Sequence, residues 1–172
     1  MMPIRYDGDM RVLGIDPGYG RCGMAIVERG GSGKDMLIFS ECVETSAKAE
    51  FTERLATVAD ECGRLIEKFM PDAMAIEKLF FSGNQKTAMH VAEVRGALIQ
   101  AATAHGLAVA EYTPAQIKNA AGGWGGADKQ QVITMLGMLM KIDKVIKYDD
   151  EYDAIAVGVT HLAFVGSRTA SR

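Results

Sequence analysis

The sequence predicts an α/β domain in which helices cover both faces of a five-stranded mixed sheet. Three observations carry that prediction. Short apolar runs bounded by turn residues cluster between Val12 and Val43, as in a strand meander. From Phe51 to Phe69, apolar residues then recur at steps of three and four, the period of a helix packed on one side. Beyond it, strand-like runs alternate with helical segments, a pattern that layers helices over a sheet.

Taken in order, Val12, Leu13 and Ile15 form a buried strand stopped by Pro17-Gly18, with Asp16 left at its end. Met24 to Val27 gives a second strand, the glycine turn Gly30 to Gly33 follows, and Met36 to Val43 gives a third. In the helix that comes next, Phe51, Leu55, Val58, Cys62, Leu65, Ile66 and Phe69 share one face, and Pro71 lies just past its end. Ala73 to Ile76 is a fourth strand, again ending in an acid, Glu77. An Ala-rich helix runs from Gln85 to about His105 and closes at Gly106; Leu107 to Tyr112 is the fifth strand. Thr113-Pro114 combines a capping hydroxyl with a proline in the first turn, and so starts a short helix carrying Lys118. Glycines end it, Asp128 caps a helix to about Lys141, and a last helix spans about Asp150 to Val165. The first and fourth strands are expected side by side, which would bring Asp16 and Glu77 together.

A chain of 172 residues suits one domain with a sizeable core. The expected division is an extension over 1–9, a single domain over 10–166 and a polar tail over 167–172. Apolar residues at 48% and charged ones at 24% are a globular balance. No apolar run approaches the roughly 20 residues of a membrane helix, and residues 1–9 lack the pattern of a secretory signal. The expected location is the cytoplasm, without membrane association. Cys22, Cys42 and Cys62 are odd in number and form no C-x-x-C pair, so they are expected to be buried thiols. A net charge of −3 gives no global sign of nucleic-acid binding, which would have to rest on local charge.

Each acid alone is ordinary. Asp16 before Pro-Gly is a common turn residue, and Asp150 and Asp153 could simply complement the dipole of a helix N-terminus. Together they differ: two acids end apolar strands, and two stand three residues apart on one helix face. Four carboxylates could therefore converge on one metal site. Neighbouring Glu151 points about 100° from Asp150 at helical spacing, and Asp149 sits a full turn before Asp153.

Several segments, in order, resemble the RuvC family of Holliday-junction resolvases, the crossover junction endodeoxyribonucleases. They are Leu13-Gly14-Ile15-Asp16-Pro17-Gly18; Ala75-Ile76-Glu77 with Phe80 soon after; Arg95-Gly96; Gly123-Trp124-Gly125-Gly126-Ala127-Asp128-Lys129; and Asp150-Glu151-Tyr152-Asp153-Ala154. The resemblance covers about Met10 to Phe164. It implies an RNase H-like fold, a homodimer, a branch-migration motor as partner, and symmetric, metal-dependent cleavage of four-way DNA junctions in recombination and repair. It assigns catalysis and metal binding to Asp16, Glu77, Asp150 and Asp153, with two Mg²⁺ ions per site and Mn²⁺ as a substitute.

The chemistry fits such a set. Phosphodiester hydrolysis needs an activated water and neutralised charge on the phosphate and leaving oxygen, which two hard cations about 3.5 to 4 Å apart supply, and carboxylate oxygens suit Mg²⁺. Asp16, on the most rigid element, is the expected bridging ligand. Lys118 and Lys129 are expected near the scissile phosphate, Lys129 behind a glycine-rich turn that can present free N–H groups. Phe80 is expected to be the exposed member of the Phe80–Phe81 pair and to stack on an unpaired base. His90, His105 and His161 have no metal-like spacing. Alternatives are a nuclease of the same fold acting on structured RNA and a module that binds branched DNA without cutting it. An ATPase of the actin and sugar-kinase type would need a second related domain. If the four acids face one another, neutralising Asp150 or Asp153 should stabilise the metal-free fold by about 1 kcal/mol.

Overall fold

A computed structural model describes residues 9–80 and 84–169, with side chains through 166. Residues 1–8 of the extension expected over 1–9, residues 81–83 with Phe81, and residues 170–172 lie outside the described residues. The chain runs β1 (Met10–Asp16), β2 (Arg21–Arg29), β3 (Asp35–Glu44), α1 (Phe51–Phe69), β4 (Ala73–Glu77), α2 (Gln85–Ala104), β5 (Ala108–Tyr112), α3 (Pro114–Gly122), α4 (Lys129–Leu139) and α5 (Asp149–Thr169). The sheet order is β3-β2-β1-β4-β5. The first three strands pair antiparallel, whereas β1–β4 and β4–β5 are parallel. Strands one and four are therefore neighbours, as expected. Two boundaries move: β2 is longer than its apolar centre, and α5 continues past Val165 into the stretch read as a tail.

Alternation along β1 decides which way each side chain faces. Leu13 and Ile15 pack with Val58, Cys62 and Leu98 under α1 and α2. Val12 packs on the other face with Ile155, Leu136 and Ile117 of α5, α4 and α3. Asp16 has the parity of Val12 and Gly14, so it belongs to the α5 face. The same count along β4 puts Glu77 with Ala75, which lies in the α5-side core, and opposite to Met74 and Ile76. Two acids read separately from two strand ends are thus turned towards one helix by the pleat.

That helix lies on the sheet at backbone contact. A Cβ on Gly14 would stand 2.3 Å from the Ala154 carbonyl oxygen and 2.7 Å from the Gly158 nitrogen. On Gly23, the β2 partner of Asp16, it would stand 1.8 Å from the Asp150 carbonyl oxygen. These glycines set the depth of α5 and with it the height of its acids over the strand ends. Gly14→Ala is expected to lift the helix and cost about 2 kcal/mol, the scale of core overpacking. Thermal unfolding should show a fall of about 4 to 8 °C for a chain of this size; an unchanged melting temperature would mean that α5 is free to shift.

A buried ion pair anchors the opposite end of β1. Arg11, 1% exposed, donates from Nε to Glu28 Oε2 at 2.8 Å and from Nη1 to the Phe69 carbonyl at 2.6 Å. It ties β1 to β2 and to the end of α1. Cys22 and Cys62 are buried as expected, but Cys42 is only half-buried, because it stands on the outer strand β3, at the margin of the helix cover over the sheet. Burial holds the Cys22 thiol far above its ordinary pKa and pushes Cys62 up to about 12. Among the described residues no helix is long and apolar enough to cross a membrane.

Candidate functional site

The site lies at the C-terminal ends of β1 and β4, beneath the first turn of α5. Asp16 is its deepest acid. Burial, followed by the charges of Asp153, Glu77 and Asp150, pushes its pKa up to about 8. Glu77 is raised as well, first by burial and then by Asp153, with Lys118 opposing. At Asp153 burial again comes first and outweighs the lowering contact with Lys129. The four sequence-derived acids therefore share one field.

They do not yet form a cage. No group of three or more His, Cys, Asp or Glu side chains among the described residues is arranged to hold a metal ion as it stands. Positive charge is supplied by side chains. Lys129 Nζ lies 2.9 Å from Asp153 Oδ2 and 3.3 Å from Asp149 Oδ2, while Arg21 Nε stands 3.3 Å from Asp150 Oδ2. At Lys129 burial pulls the pKa down, but the bonds to Asp153 and Asp149 outweigh it and leave it raised. Hard carboxylate oxygens around an acid whose pKa is raised by burial and then by its neighbours' charges are a donor set suited to a divalent cation. Its entry would take over the neutralising task from Lys129.

Both lysines sit where local sequence sets them. Thr113 and Gln116 close a capping box at the start of α3, and Asp128 and Gln131 do so at α4, each satisfying the N–H groups of the cap residue and of the third helical residue. Lys118 and Lys129 then line a cleft of about 320 Å³ together with Glu77, Asp153, Pro114 and Ile117. An adjoining groove is lined by Asp16, Glu77, Lys78, Phe80 and Pro114. Phe80 is 57% exposed. The expected DNA-facing residues thus border the acids.

Sequence reasoning missed the supports of the α5 end. Glu151 is buried, accepts from Ser40 Oγ at 2.6 Å, and pairs with Lys144, which also donates to the Ser40 carbonyl at 2.7 Å. This clamp fixes the turn that carries Asp150 and Asp153 to strand β3. Asp149, a full turn before Asp153, shares Lys129 with it. A buried Glu inside an acidic run leaves no sequence signal that separates it from its solvated neighbours. His161 bonds Tyr112 Oη through Nδ1 at 2.8 Å within the core, away from the acids.

The profile of crossover junction endodeoxyribonuclease RuvC matches residues 12–161. The chain belongs to the RuvC family. The RuvC of Moorella thermoacetica is 41% identical over 155 residues, covering 90% of this chain and 92% of that protein. The RuvC of Thermosipho melanesiensis is 41% identical over 148 residues, or 86% and 94%. T. thermophilus RuvC, solved in complex with a Holliday junction substrate, superposes with a TM-score of 0.86 at 31% identity, covering 93% of this chain and 97% of that one. The yeast mitochondrial Holliday junction resolvase, at 16% identity and a TM-score of 0.70, shares the fold. The RNase H-like α/β fold expected for a RuvC protein is the one observed, and the family's activity is that of an endodeoxyribonuclease.

Proposed function

We propose that this chain resolves four-way (Holliday) DNA junctions in recombination and repair by metal-dependent, symmetric phosphodiester hydrolysis. The observation that carries the reading is the half-buried Asp16, held at a central strand end within the field of Glu77, Asp150 and Asp153. These four carboxylates would hold Mg²⁺, two ions per site with Mn²⁺ as a substitute. Bound cations of this kind activate a water and neutralise charge on the phosphate and leaving oxygen. Asp16 and Glu77 stand on paired strands and give the site its rigid floor. Asp150 and Asp153 close it from α5, at a depth set by Gly14 and Gly23. Lys118 and Lys129 hold the phosphodiester over the acids, Lys129 exchanging Asp153 for phosphate as the substrate enters.

Two cuts related by a two-fold axis call for two sites so related, hence a homodimer. Helix α2 supports this, since Met89, Ala92, Gly96 and Gln100 form an exposed face along it with the small residues Ala92 and Gly96 at its middle. Sedimentation of a monomer that still cuts symmetrically at micromolar concentration would remove the dimer. A branch-migration motor as partner and action in the cytoplasm, where the DNA lies, complete the reading. The experiment that tests it is incubation of purified protein with four-way junctions, plain duplex and structured RNA, with and without Mg²⁺. Cleavage confined to the junction and dependent on the metal is expected; duplex or RNA cut equally fast would overturn it.

Phe80 should serve distortion of the junction rather than folding. Base–aromatic stacking contributes about 1 to 3 kcal/mol per base, and an exposed ring contributes little to the core. Phe80→Ala is expected to keep the wild-type melting temperature and to cut junctions at least about fivefold more slowly. A large drop in thermal stability instead would assign the ring to packing.

A further inference from the structure

We infer that Trp124 is a second DNA-stacking residue, presenting its indole to a nucleobase beside the scissile phosphate; this rests on the resolvase reading above. Trp124 is the chain's one tryptophan, it is 57% exposed, and it stands outside both hydrophobic cores. It sits on the short connection between α3 and α4, whose helices carry Lys118 and Lys129.

The connection holds the ring rather than letting it sweep. Gly123 ends α3 with φ of 86°, a left-handed turn that side chains disfavour. The Ala127 nitrogen donates to the Trp124 carbonyl at 3.1 Å, closing the next turn. A Cβ on Gly126 would lie 2.1 Å from Cζ3 and 2.5 Å from Cη2 of the indole. The six-membered ring therefore rests against bare backbone that only glycine provides. A ring that is mounted on main chain and yet more than half exposed keeps surface open for a planar partner.

Its place in the fold selects that partner. A Cβ on Gly125 would lie 3.8 Å from the Ala115 carbonyl oxygen, so the loop lies over the first turn of α3. Pro114 of that turn lines both the cleft with Glu77, Lys118 and Lys129 and the groove with Asp16 and Phe80. An aromatic surface on the loop that joins two lysine-bearing helices suits a nucleotide, whose phosphate would meet the ammonium groups while its base stacks. Trp124 and Phe80 would then engage the substrate from two sides of the same acids.

Because the chain has one tryptophan, its emission reports this contact directly. Titration with a four-way junction in EDTA is expected to quench the fluorescence of the wild type and of Phe80→Ala at saturation. Trp124→Ala is expected to melt with the wild type and to cut junctions in Mg²⁺ about tenfold more slowly, with Trp124→Phe recovering most of the rate. Junction bound without change in emission, or Trp124→Ala cutting at the wild-type rate, overturns the stacking role and leaves the resolvase reading intact. Failure of the wild type to bind junctions overturns both.

Discussion

Asp16→Asn and Glu77→Gln should each lose at least about a thousandfold in junction cleavage, some 4 kcal/mol of transition-state stabilisation, while both still bind the junction in Ca²⁺ or EDTA. Each substitution keeps the shape of the side chain and removes its charge. The two residues sit on neighbouring parallel strands and share a face of the sheet, so neither change disturbs the packing beneath. On the proposed reading, binding would draw instead on Lys118, Lys129 and the exposed Phe80, which lie on α3, α4 and the segment after β4. Gel-shift and cleavage assays on one junction separate the two quantities. Cleavage by both variants within tenfold of wild type would take Asp16 and Glu77 out of the chemistry. Loss of binding in parallel with cleavage would mean that the acids shape the DNA surface as well.

The pairing of β1 with β4 and the positions of the acids were legible because each rests on a local rule. Apolar runs end in acids at turn residues, and period 2 then carries the acids to one face. The depth of α5 was not legible. It depends on Gly14, Gly23 and Gly158, which read as ordinary glycines in strands and a helix until the backbone of α5 is seen against them. The ion pairs were equally hidden. Arg11 precedes an apolar run and reads as the polar edge of a strand, yet it is buried on Glu28 from the adjacent strand. Arg21 and Lys129 neutralise Asp150 and Asp153 from distant positions. Helical position relates the acids to one another along α5, where a full turn separates Asp149 from Asp153; it is blind to cations on other elements such as Lys129, which bridges the two.

Those cations also relocate the metal-free strain. Repulsion alone points to Asp150 or Asp153 as the acid whose neutralisation stabilises the fold, but both have cationic partners, and neutralising either gives up its ion pair with Arg21 or Lys129. Among the described residues no cation lies within bonding distance of Asp16, and burial is the largest cause of its raised pKa of about 8. Its folded-state pKa lies above the unfolded value of about 3.9. The stability it allows is thus fully present below about pH 4 and is lost as pH rises towards 8. Asp16→Asn should therefore match the wild type at pH 4 and be the more stable in EDTA at pH 8. With about 1.4 kcal/mol per pKa unit as the upper scale, and relaxation of a site open to water reducing it, the gain at pH 8 should be on the order of 3 kcal/mol. That corresponds to about 6 to 12 °C in melting temperature. Divalent metal should work the other way. A ligand that binds only the folded state adds RT ln(1 + [L]/Kd), about 2.7 kcal/mol at a hundredfold excess, so Mg²⁺ should raise the wild-type melting temperature and leave that of Asp16→Asn nearly unchanged. Matched Na⁺ is the control, because screening alone also relieves repulsion. Equal Mg²⁺ shifts in both proteins, with no pH-dependent gain from the substitution, would show that Asp16 neither carries the strain nor holds the metal.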